Sequence, residues 1–460
     1  MKAGSPATPR WRYLSVCCVL IGLAGVLMGR LVMLQVTEEG QGAGFLREQG
    51  AMRTVRTAEI PVYRGLIEDR QGTPLAISSP VVSLWANPQQ LKDSPRLAEL
   101  AALLGVDAAE LKDKLALYGN KHFMYLARHQ APDFARQILQ EAFPGVRGER
   151  AYRRYYPAGE VTAQVLGLTN VDGEGIAGIE LAFEQWLQGI PGKKRFIKDL
   201  HGEAVRDFGL ITKPRPGKAL SLSLDLRLQY VQHRELQRAM KETGAVAGSA
   251  ITVDAWTGEI LAVSNYPVFN PNNREAFDYS AARNRALTDV YEPGSTIKTL
   301  TLIAALESGQ FTIDSLVNTA PGRIRVGGKV LHDPRNYGEI SVSKIIEKSS
   351  QVGVTKLAQA VGHEAVLEVL LRFGFGTQTG TGFPGERAGS LPSMMHWSEI
   401  EKVTLAFGYG LNATPIQLAQ AYSILANGGV RQPLTLLKQD RETLPVGTRV
   451  VDAQVARDVL

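Results

Sequence analysis

One uninterrupted apolar segment near the N-terminus constrains this chain more than any other feature. Between residues 13 and 36 the only charged residue is Arg30, near the far end, where a long side chain can reach the polar boundary. A run of about 20 apolar residues is long enough to cross a bilayer as a helix. Positive residues precede it, namely Lys2, Arg10 and Arg12. They predict a cytoplasmic tail at residues 1–12, with the rest of the chain outside the cytoplasmic membrane.

A cleaved signal peptide is the alternative interpretation of this segment. Residues 13–28 alone resemble the apolar core of such a peptide, but Gly-Arg-Leu-Val-Met-Leu follows instead of a small-x-small cleavage site. We therefore favour an uncleaved anchor. The two cysteines of the chain, Cys17 and Cys18, both lie in this segment, so the residues beyond it have no thiol for disulfide, zinc or redox chemistry.

The composition of the chain is that of globular domains. Its 460 residues are 44% apolar and 21% charged, which predicts two or three domains with cores to bury. The formal net charge is +6, and the basic residues are dispersed apart from local clusters such as residues 147–154 and 193–195. This distribution favours contact with an anionic envelope polymer or lipid over nucleic acid.

Two regions follow the apolar segment, and a linker separates them. In the first region, residues 64–76 predict a β-hairpin around a glycine turn, and residues 94–140 predict mainly helix. The linker is predicted at residues 213–218, where two prolines and a glycine resist regular structure.

The second region combines strand and helix patterns. A helix is predicted at residues 227–242, a hairpin at 248–253 and 259–264, and a helical stretch at 343–373. This order predicts an α+β domain in which helices cover an antiparallel sheet.

The sequence Tyr-Glu-Pro-Gly-Ser-Thr-Ile-Lys at residues 291–298 predicts a nucleophile at the start of a buried helix. Residues three apart share one helix face, so Ser295 and Lys298 lie together. A desolvated lysine can lose its proton and serve as the base that a serine hydroxyl needs to form an acyl-enzyme. The ordinary alternative is that Ser295 only caps the helix and Lys298 is solvated, which is common for so short a pattern.

Further motifs lie on both sides of this one. They are Arg64-Gly65 with Asp69-Arg70 and Gly72, Tyr155-Tyr156-Pro157 with Gly159, Gly178 with Glu180, Phe269-Asn270-Pro271-Asn272-Asn273, Arg283-Asn284-Arg285, Glu292-Pro293-Gly294-Ser295 with Lys298, and Phe407-Gly408-Tyr409-Gly410. With these motifs the chain resembles the class B penicillin-binding proteins, most closely the division-associated peptidoglycan DD-transpeptidases of Gram-negative bacteria, from the apolar segment to Leu460.

The resemblance implies an α+β architecture in four parts. These are a cytoplasmic tail at residues 1–12, a transmembrane anchor at 13–36, a non-catalytic pedestal of the dimerisation type with its linker at 37–218, and a penicillin-binding transpeptidase domain at 219–460. It implies a location in the cell inner membrane, with the catalytic domain in the periplasm. The implied partners are peptidoglycan stem peptides, β-lactams, a polytopic glycan polymerase and other division proteins, and no nucleic acid.

The implied reaction is acyl transfer in septal wall synthesis, with no metal or organic cofactor. Ser295 attacks the penultimate D-alanine of a stem peptide after Lys298 takes its proton, and an amine of a neighbouring stem peptide resolves the ester. In the family's second motif, Ser-x-Asn, the matching residues are Ser349, Ser350 and Gln351. Ser349 would relay protons, while Gln351 replaces the asparagine that contacts the lysine and the substrate amide. Gln351 offers the same donor and acceptor on a longer stem, so altered or lost activity are both open.

The family's third motif, Lys-Ser/Thr-Gly, does not occur in these residues. The lysines after Gln351 are Lys356, Lys402 and Lys438, followed by Leu, Val and Gln. The expectation is a partial or truncated transpeptidase, and the alternative is a non-catalytic membrane-anchored division scaffold. A β-lactamase or β-lactam sensor shares Ser-x-x-Lys but does not need the pedestal.

Other candidate sites carry weaker signals. His363 and Glu364 begin a zinc-protease pattern, but Leu367 stands where the second histidine is needed. His332 and Asp333 could approach the mouth of the site, although a loop histidine is more often solvated.

Overall fold

The computed structural model describes residues 10–36, 55–198, 204–273, 278–392 and 397–460. Its backbone forms two compact units. One comprises Met1–Val62 and Ile190–Arg215, and the other Tyr63–Gly189 and Pro216–Leu460. The overall class is α+β, as the sequence predicts.

The first unit contains the N-terminal helix, Arg10–Val36. Its large apolar side chains are exposed, and by length and composition it is able to cross a membrane over Arg10–Gln35. This confirms the predicted anchor helix. A helix with so little packing against the protein is suited to lipid rather than to a soluble core.

The first unit also contains a small antiparallel sheet. Its strands are Val55–Ile60, Gly192–Lys198 and Ala204–Thr212, and Gly192–Lys198 lies in the middle. Residues 193–195, a basic cluster in the sequence, belong to the central strand and pair with residues 57–59. Local sequence patterns did not predict this sheet.

The second unit begins with a β-hairpin whose second strand is much longer than its first. Strand Ile67–Glu68 pairs antiparallel with strand Pro74–Ala86, which confirms the hairpin predicted at residues 64–76. Strand Pro74–Ala86 also pairs with Met124–Gln130 on one edge and Val146–Tyr155 on the other. The helices beside it are Pro88–Leu91, Leu97–Leu104, Ala108–Leu117 and Pro132–Gln140.

The prediction of mainly helix over residues 94–140 was wrong at one place. Met124–Gln130 forms a strand because it completes the sheet beside residues 82–86. Met124 itself is buried in the core beneath that sheet, with Leu84, Leu100 and Leu115. Tertiary pairing decides such a segment, and its own sequence pattern did not show it.

Arg64, Glu180 and Arg154 form a buried cluster of charged side chains in this region. Arg64 Nε donates to Glu180 Oε2 at 2.5 Å and Arg154 Nε to Glu180 Oε1 at 2.6 Å, so each carboxylate oxygen has its own guanidinium. All three side chains are buried. Removing Glu180 would leave buried Arg154 without its carboxylate partner, and breaking a buried pair in this way costs about 3–5 kcal/mol. Four short helical segments surround it, namely Gly159–Val161, Ala163–Leu166, Gly178–Ala182 and Glu184–Leu187.

Strand Leu220–Ser221 pairs parallel with Ile67–Glu68 and leads into the second half of the unit. Two further contacts join the halves. Arg70 Nη2 donates to Glu259 Oε2 at 3.1 Å, and the side chain of Asn272 bonds both the N–H and the C=O of Tyr156. The turn around Asn272 therefore packs against the region that precedes the linker.

The second half follows the predicted order. Helix Leu226–Thr243, capped by Asp225, packs against the antiparallel hairpin Gly248–Val253 and Ile260–Tyr266. The remaining helices are Tyr279–Ala282, Arg285–Thr288, Lys298–Glu307, Val342–Glu347, Gln351–Val361, His363–Arg372, Glu399–Thr404, Pro415–Ala426 and Ala453–Val459, with single 3₁₀ turns at Gly294–Ile297, Leu405–Phe407 and Arg441–Thr443.

Three short antiparallel pairs complete the unit. They are Leu316–Asn318 with Glu339–Ser341, Arg323–Val326 with Lys329–His332, and Val430–Arg431 with Thr448–Arg449. The helix Lys298–Glu307 lies in the middle of the largest apolar core, with Leu300, Ile303 and Ala305 buried. This central helix gives the site a rigid base.

Candidate active site

Ser295 lies in a tight turn that leads directly into the central helix. The turn is the 3₁₀ segment Gly294–Ile297, and the α-helix continues from Lys298. Ser295 caps neither segment, because Pro293 and Ile297 occupy the N-cap positions and no side-chain cap bond forms there. The alternative of a simple capping serine therefore does not hold. The helix begins at the predicted place, and its first turn is 3₁₀.

Lys298 is the buried cation of the site. Only 3% of the residue is exposed, so the alternative of a solvated helix lysine also fails. Its Nζ donates to the carbonyl oxygen of Ser349 at 2.6 Å and to Ser349 Oγ at 2.8 Å. Burial lowers the pKa of Lys298 below its ordinary value, and the Asp333 carboxylate opposes that shift. The structure thus brings Lys298 and Ser349 together, as the sequence predicts.

The two hydrogen bonds at Lys298 can be made by a neutral amine as well as by an ammonium group. A neutral amine has two N–H groups and one lone pair, and Ser349 can use both N–H groups. The lone pair is then left to accept a proton. Within the described residues, no hydrogen bond joins Ser295 Oγ to Lys298 Nζ, and catalytic hydrogen bonds are often long before substrate binds.

Ser349 has an unusual backbone conformation that presents two oxygen atoms to Lys298. Its φ is +52°, in the left-handed region that non-glycine residues rarely adopt. Such a conformation costs on the order of 1–2 kcal/mol and persists only where surrounding contacts enforce it. Here the residue connects helix Val342–Glu347 to helix Gln351–Val361. The strain turns its carbonyl and its hydroxyl towards the same amine.

Asp333 anchors the start of the following helix. One carboxylate oxygen accepts the N–H groups of Gln351 at 2.6 Å and Val352 at 3.1 Å, and the other accepts Ser350 Oγ–H at 2.6 Å. A carboxylate at a helix N-terminus pairs with otherwise unbonded N–H groups and with the helix dipole. Only 8% of Asp333 is exposed. Asp333 therefore fixes the segment 349–351 on which Lys298 depends.

Gln351 is the first residue of that helix, with Ser350 as its N-cap. Its backbone N–H is held by Asp333. In the described part of the chain its side-chain amide makes no hydrogen bond to Lys298. The predicted contact between the amide and the lysine is therefore not formed here, while the backbone of the motif is in place.

Gly408 and Gly410 form hydrogen bonds with the nucleophile turn and with Glu292 just before it. Gly294 N–H donates to the carbonyl of Gly408 at 3.0 Å. Gly408 has φ +86°, and a Cβ there would lie 2.0 Å from Gly294 O, so no other residue fits. Gly410 N–H donates to Glu292 Oε1 at 2.8 Å, on the same turn. The motif at residues 407–410 thus borders the nucleophile turn and also requires positive φ angles.

Several residues near the nucleophile turn were not assigned a role from the sequence. His332 and Asp333 were predicted only to be able to approach the mouth of the site, with solvation favoured for His332, and the structure leaves His332 exposed and buries Asp333. Two further residues were not predicted, namely Tyr422, whose hydroxyl donates to Thr296 O at 2.9 Å, and Thr301, whose hydroxyl donates to Ala406 O at 2.8 Å. Asp333 was a candidate beside His332, while Tyr422 and Thr301 carry no sequence signal.

Comparison with known proteins gives the arrangement a family. The model of the penicillin binding protein transpeptidase domain matches residues 248–460, and that of the penicillin-binding protein dimerisation domain matches residues 59–222. The chain is 40% identical over 458 residues to peptidoglycan D,D-transpeptidase FtsI of Escherichia coli K12, covering 98% of this chain and 76% of that protein. The chain belongs to the class B penicillin-binding proteins.

Two other relatives support this assignment. The class B protein described here is 39% identical to probable peptidoglycan D,D-transpeptidase PbpC of Pseudomonas aeruginosa, over 98% of this chain and 79% of that protein. Among solved structures, penicillin-binding protein 3 from Mycobacterium tuberculosis in complex with aztreonam has a TM-score of 0.65 at 28% identity, over 87% of this chain and 74% of that one.

Membership of this family identifies the activity of the class B protein. It is a serine-type peptidoglycan D,D-transpeptidase that crosslinks peptidoglycan in septal wall synthesis and binds β-lactams. Its N-terminal apolar helix makes it a single-pass, membrane-anchored protein. Within the described residues, no group of three or more His, Cys, Asp or Glu side chains could hold a metal ion.

Proposed function

We propose that Ser295 is the nucleophile of the transpeptidase and that Lys298 is its base. The observation that carries this proposal concerns buried Lys298, which lies three residues after Ser295. Its amine donates two hydrogen bonds to Ser349. A lysine in this environment is more easily neutral than one in water, and a neutral amine can take the serine proton.

The proposed first half-reaction is acylation. Ser295 Oγ loses its proton to Lys298 Nζ as it attacks the carbonyl carbon of the penultimate D-alanine. The bond from that carbon to the nitrogen of the terminal D-alanine then breaks, and the leaving nitrogen takes a proton. The terminal D-alanine leaves as a free amine, and Lys298 returns to its neutral form.

We assign Ser349 the proton relay between these two atoms. Ser349 Oγ accepts a hydrogen bond from Lys298 and has a hydrogen of its own to donate. It can therefore pass a proton to the leaving nitrogen while it receives one from the ammonium group. In the second half-reaction the same route would run in reverse, as the acceptor amine of a neighbouring stem peptide attacks the ester and loses its proton.

Gln351 is proposed to bind substrate through its side-chain amide. The helix start that carries it is fixed by Asp333. Its amide carries both a donor and an acceptor, as the backbone amide of a stem peptide requires. The proposal is compatible with the absence of a bond from this amide to Lys298, because an amide not engaged with the lysine can meet substrate.

The proposal also covers the topology and the partners of the protein. We assign residues 1–12 to the cytoplasm, 13–36 to the inner membrane, and the pedestal at 37–218 and transpeptidase domain at 219–460 to the periplasm. The positive residues before the helix and the likeness to proteins named FtsI support this. A glycan polymerase and other division proteins would then be partners at the membrane.

Covalent labelling with a fluorescent penicillin tests the proposed nucleophile. The wild-type protein and its Ser295→Ala and Ser349→Ala variants would be labelled, and the labelled peptide would be identified by mass spectrometry. We expect a penicilloyl adduct on Ser295, none in Ser295→Ala, and slower labelling in Ser349→Ala. A folded wild-type protein that takes no label, or takes it at another residue, would refute the assignment and favour a non-catalytic scaffold.

A further inference from the structure

A strip of exposed basic side chains lies next to the Asp333 anchor. It is formed by the hairpin Arg323–Val326 and Lys329–His332 and by the turn that follows. We call it the basic strip, and its members are Arg323, Arg325 and Arg335, all of them exposed. Arg323 and Arg325 alternate along one strand and so point to the same face.

The basic strip is joined to the catalytic segment by short, direct contacts. Asp333 N–H donates to Gly322 O at 3.0 Å, which closes the base of the hairpin immediately before Arg323. The Asp333 carboxylate holds Ser350 and the N–H of Gln351. Arg323 and Arg335 are thus each within two residues of a group that touches this anchor. Both arginines are therefore close along the chain to the anchor that holds the Ser349–Gln351 segment.

Within the described residues, the basic strip takes part in no ion pair. The only acidic residue between positions 321 and 337 is Asp333, and its carboxylate is already occupied by three donors. Glu399 lies near Gly327 at the tip of the hairpin and is paired with Lys402. Arg335 lies over the ring of Tyr337 at 5.2 Å.

Some other exposed arginines of the chain are paired with acidic side chains. Arg96 is bonded to both Glu99 and Glu141, and Arg238 to Glu235. A solvated face of mixed charge is the usual arrangement for a surface. A strip of one sign beside a reaction centre instead concentrates ligands of the opposite sign.

We propose that the basic strip binds the free carboxylates of a peptidoglycan stem peptide and so helps to seat it beside Gln351. Guanidinium groups suit this task because their planar N–H pairs match a carboxylate. Since β-lactams are much smaller than a stem peptide, they acylate the protein without reaching the basic strip. The basic strip therefore discriminates between substrate and inhibitor, and the proposal rests on the active site proposed above.

Binding and acylation, measured side by side, test this proposal. The full-length protein would be compared with an Arg323→Gln/Arg335→Gln variant, using a soluble stem peptide with free carboxylates and the same peptide with carboxamides. We expect the free-acid peptide to bind about tenfold more weakly to the variant, and the amidated peptide to bind both proteins equally weakly. Penicillin acylation is expected to stay within about twofold of wild type.

A matched variant separates local recognition from overall charge. Arg234→Gln/Arg238→Gln removes the same charge from exposed positions of helix Leu226–Thr243 and should leave peptide binding unchanged. An equal loss for both peptides, no loss for either, or the same loss in this control would overturn the proposal. So would a finding that the basic strip binds phosphatidylglycerol vesicles and not the peptide. Loss of penicillin labelling in wild type would instead contradict the proposed active site.

Discussion

Lys298 Nζ donates hydrogen bonds to both oxygen atoms of Ser349, at 2.6 Å to the carbonyl and 2.8 Å to Oγ. This pair joins two helices far apart in sequence and lies at the centre of the site. The contact requires a left-handed Ser349, and Asp333 fixes the helix that follows it. The positions of Lys298, Ser349 and Asp333 are therefore coupled.

Ser349→Ala and Ser349→Gly separate the role of the Ser349 hydroxyl in acylation from the cost of its backbone strain. Both lose the Oγ contact to Lys298, so we expect acylation by penicillin to slow by about 10²–10⁴-fold in each. At φ +52° glycine is unstrained and alanine is not, so the glycine variant should be about 1 kcal/mol more stable than the alanine variant. Stopped-flow acylation and urea denaturation measure the two effects. Equal stability of the two variants would mean that the backbone strain at Ser349 is not real.

Asp333→Asn keeps the shape of the anchor and removes its charge. The carboxylate raises the pKa of Lys298, so its loss should lower that pKa further. Since the neutral amine is the active form, the rise of acylation rate with pH should move to lower pH in this variant. A pH–rate profile measures the shift, and an unchanged or upward-shifted midpoint would contradict it.

Asp333→Ala removes the carboxylate altogether and tests its contribution to the stability of the fold. The N–H groups of Gln351 and Val352 lose their acceptor at a buried helix start. We expect a loss of about 2 kcal/mol in the free energy of unfolding, measured by denaturant titration. A loss below about 0.5 kcal/mol would show that solvent replaces the carboxylate without cost.

Gly408→Ala and Gly410→Ala form a matched pair. Both positions have positive φ, at +86° and +78°, but only at Gly408 would the new Cβ meet backbone, 2.0 Å from Gly294 O. We expect Gly410→Ala to cost about 1–2 kcal/mol and Gly408→Ala clearly more, with a displaced nucleophile turn and slower acylation. Circular dichroism melts and acylation rates compare them. Equal effects would show that the close approach to Gly294 is not important.

Gln351→Asn tests whether the longer side chain limits the enzyme. Asparagine shortens the stem by one methylene and leaves the backbone bond to Asp333 in place. We expect faster acylation by penicillin, by up to about a hundredfold, because misplacement of about 1 Å can cost that much. Gln351→Ala is the control and should slow it. If asparagine were no faster than glutamine, the amide at position 351 would not be misplaced.

Local patterns predicted those parts of the molecule in which neighbouring residues decide the structure. The N-terminal helix and the helix after Ser295 follow from composition and spacing over a few turns, and the structure has both. By contrast, strand Met124–Gln130 exists because it pairs with residues 82–86, more than thirty positions earlier. Such pairing cannot be read from the strand itself.

The same distinction applies within the site. Ser295 and Lys298 share a helix turn, so spacing alone places them together. The role of Asp333 depends on a hairpin that folds back onto a helix start 18 residues later, as its bond to Gln351 shows. The positive φ of Ser349 likewise follows from the junction of two helices. Serine has no conformational preference for positive φ that would indicate it in the sequence.

The pH dependence of penicillin acylation tests the central claim most directly, that a neutral Lys298 activates Ser295. Burial lowers the pKa of Lys298, so the rate constant should rise with pH through a single ionisation below the ordinary lysine value and level off above it. Lys298→Arg, which cannot become neutral, should show no such rise and little acylation. A wild-type rate that is constant through this range, or a Lys298→Arg variant that keeps the wild-type profile, would contradict the account.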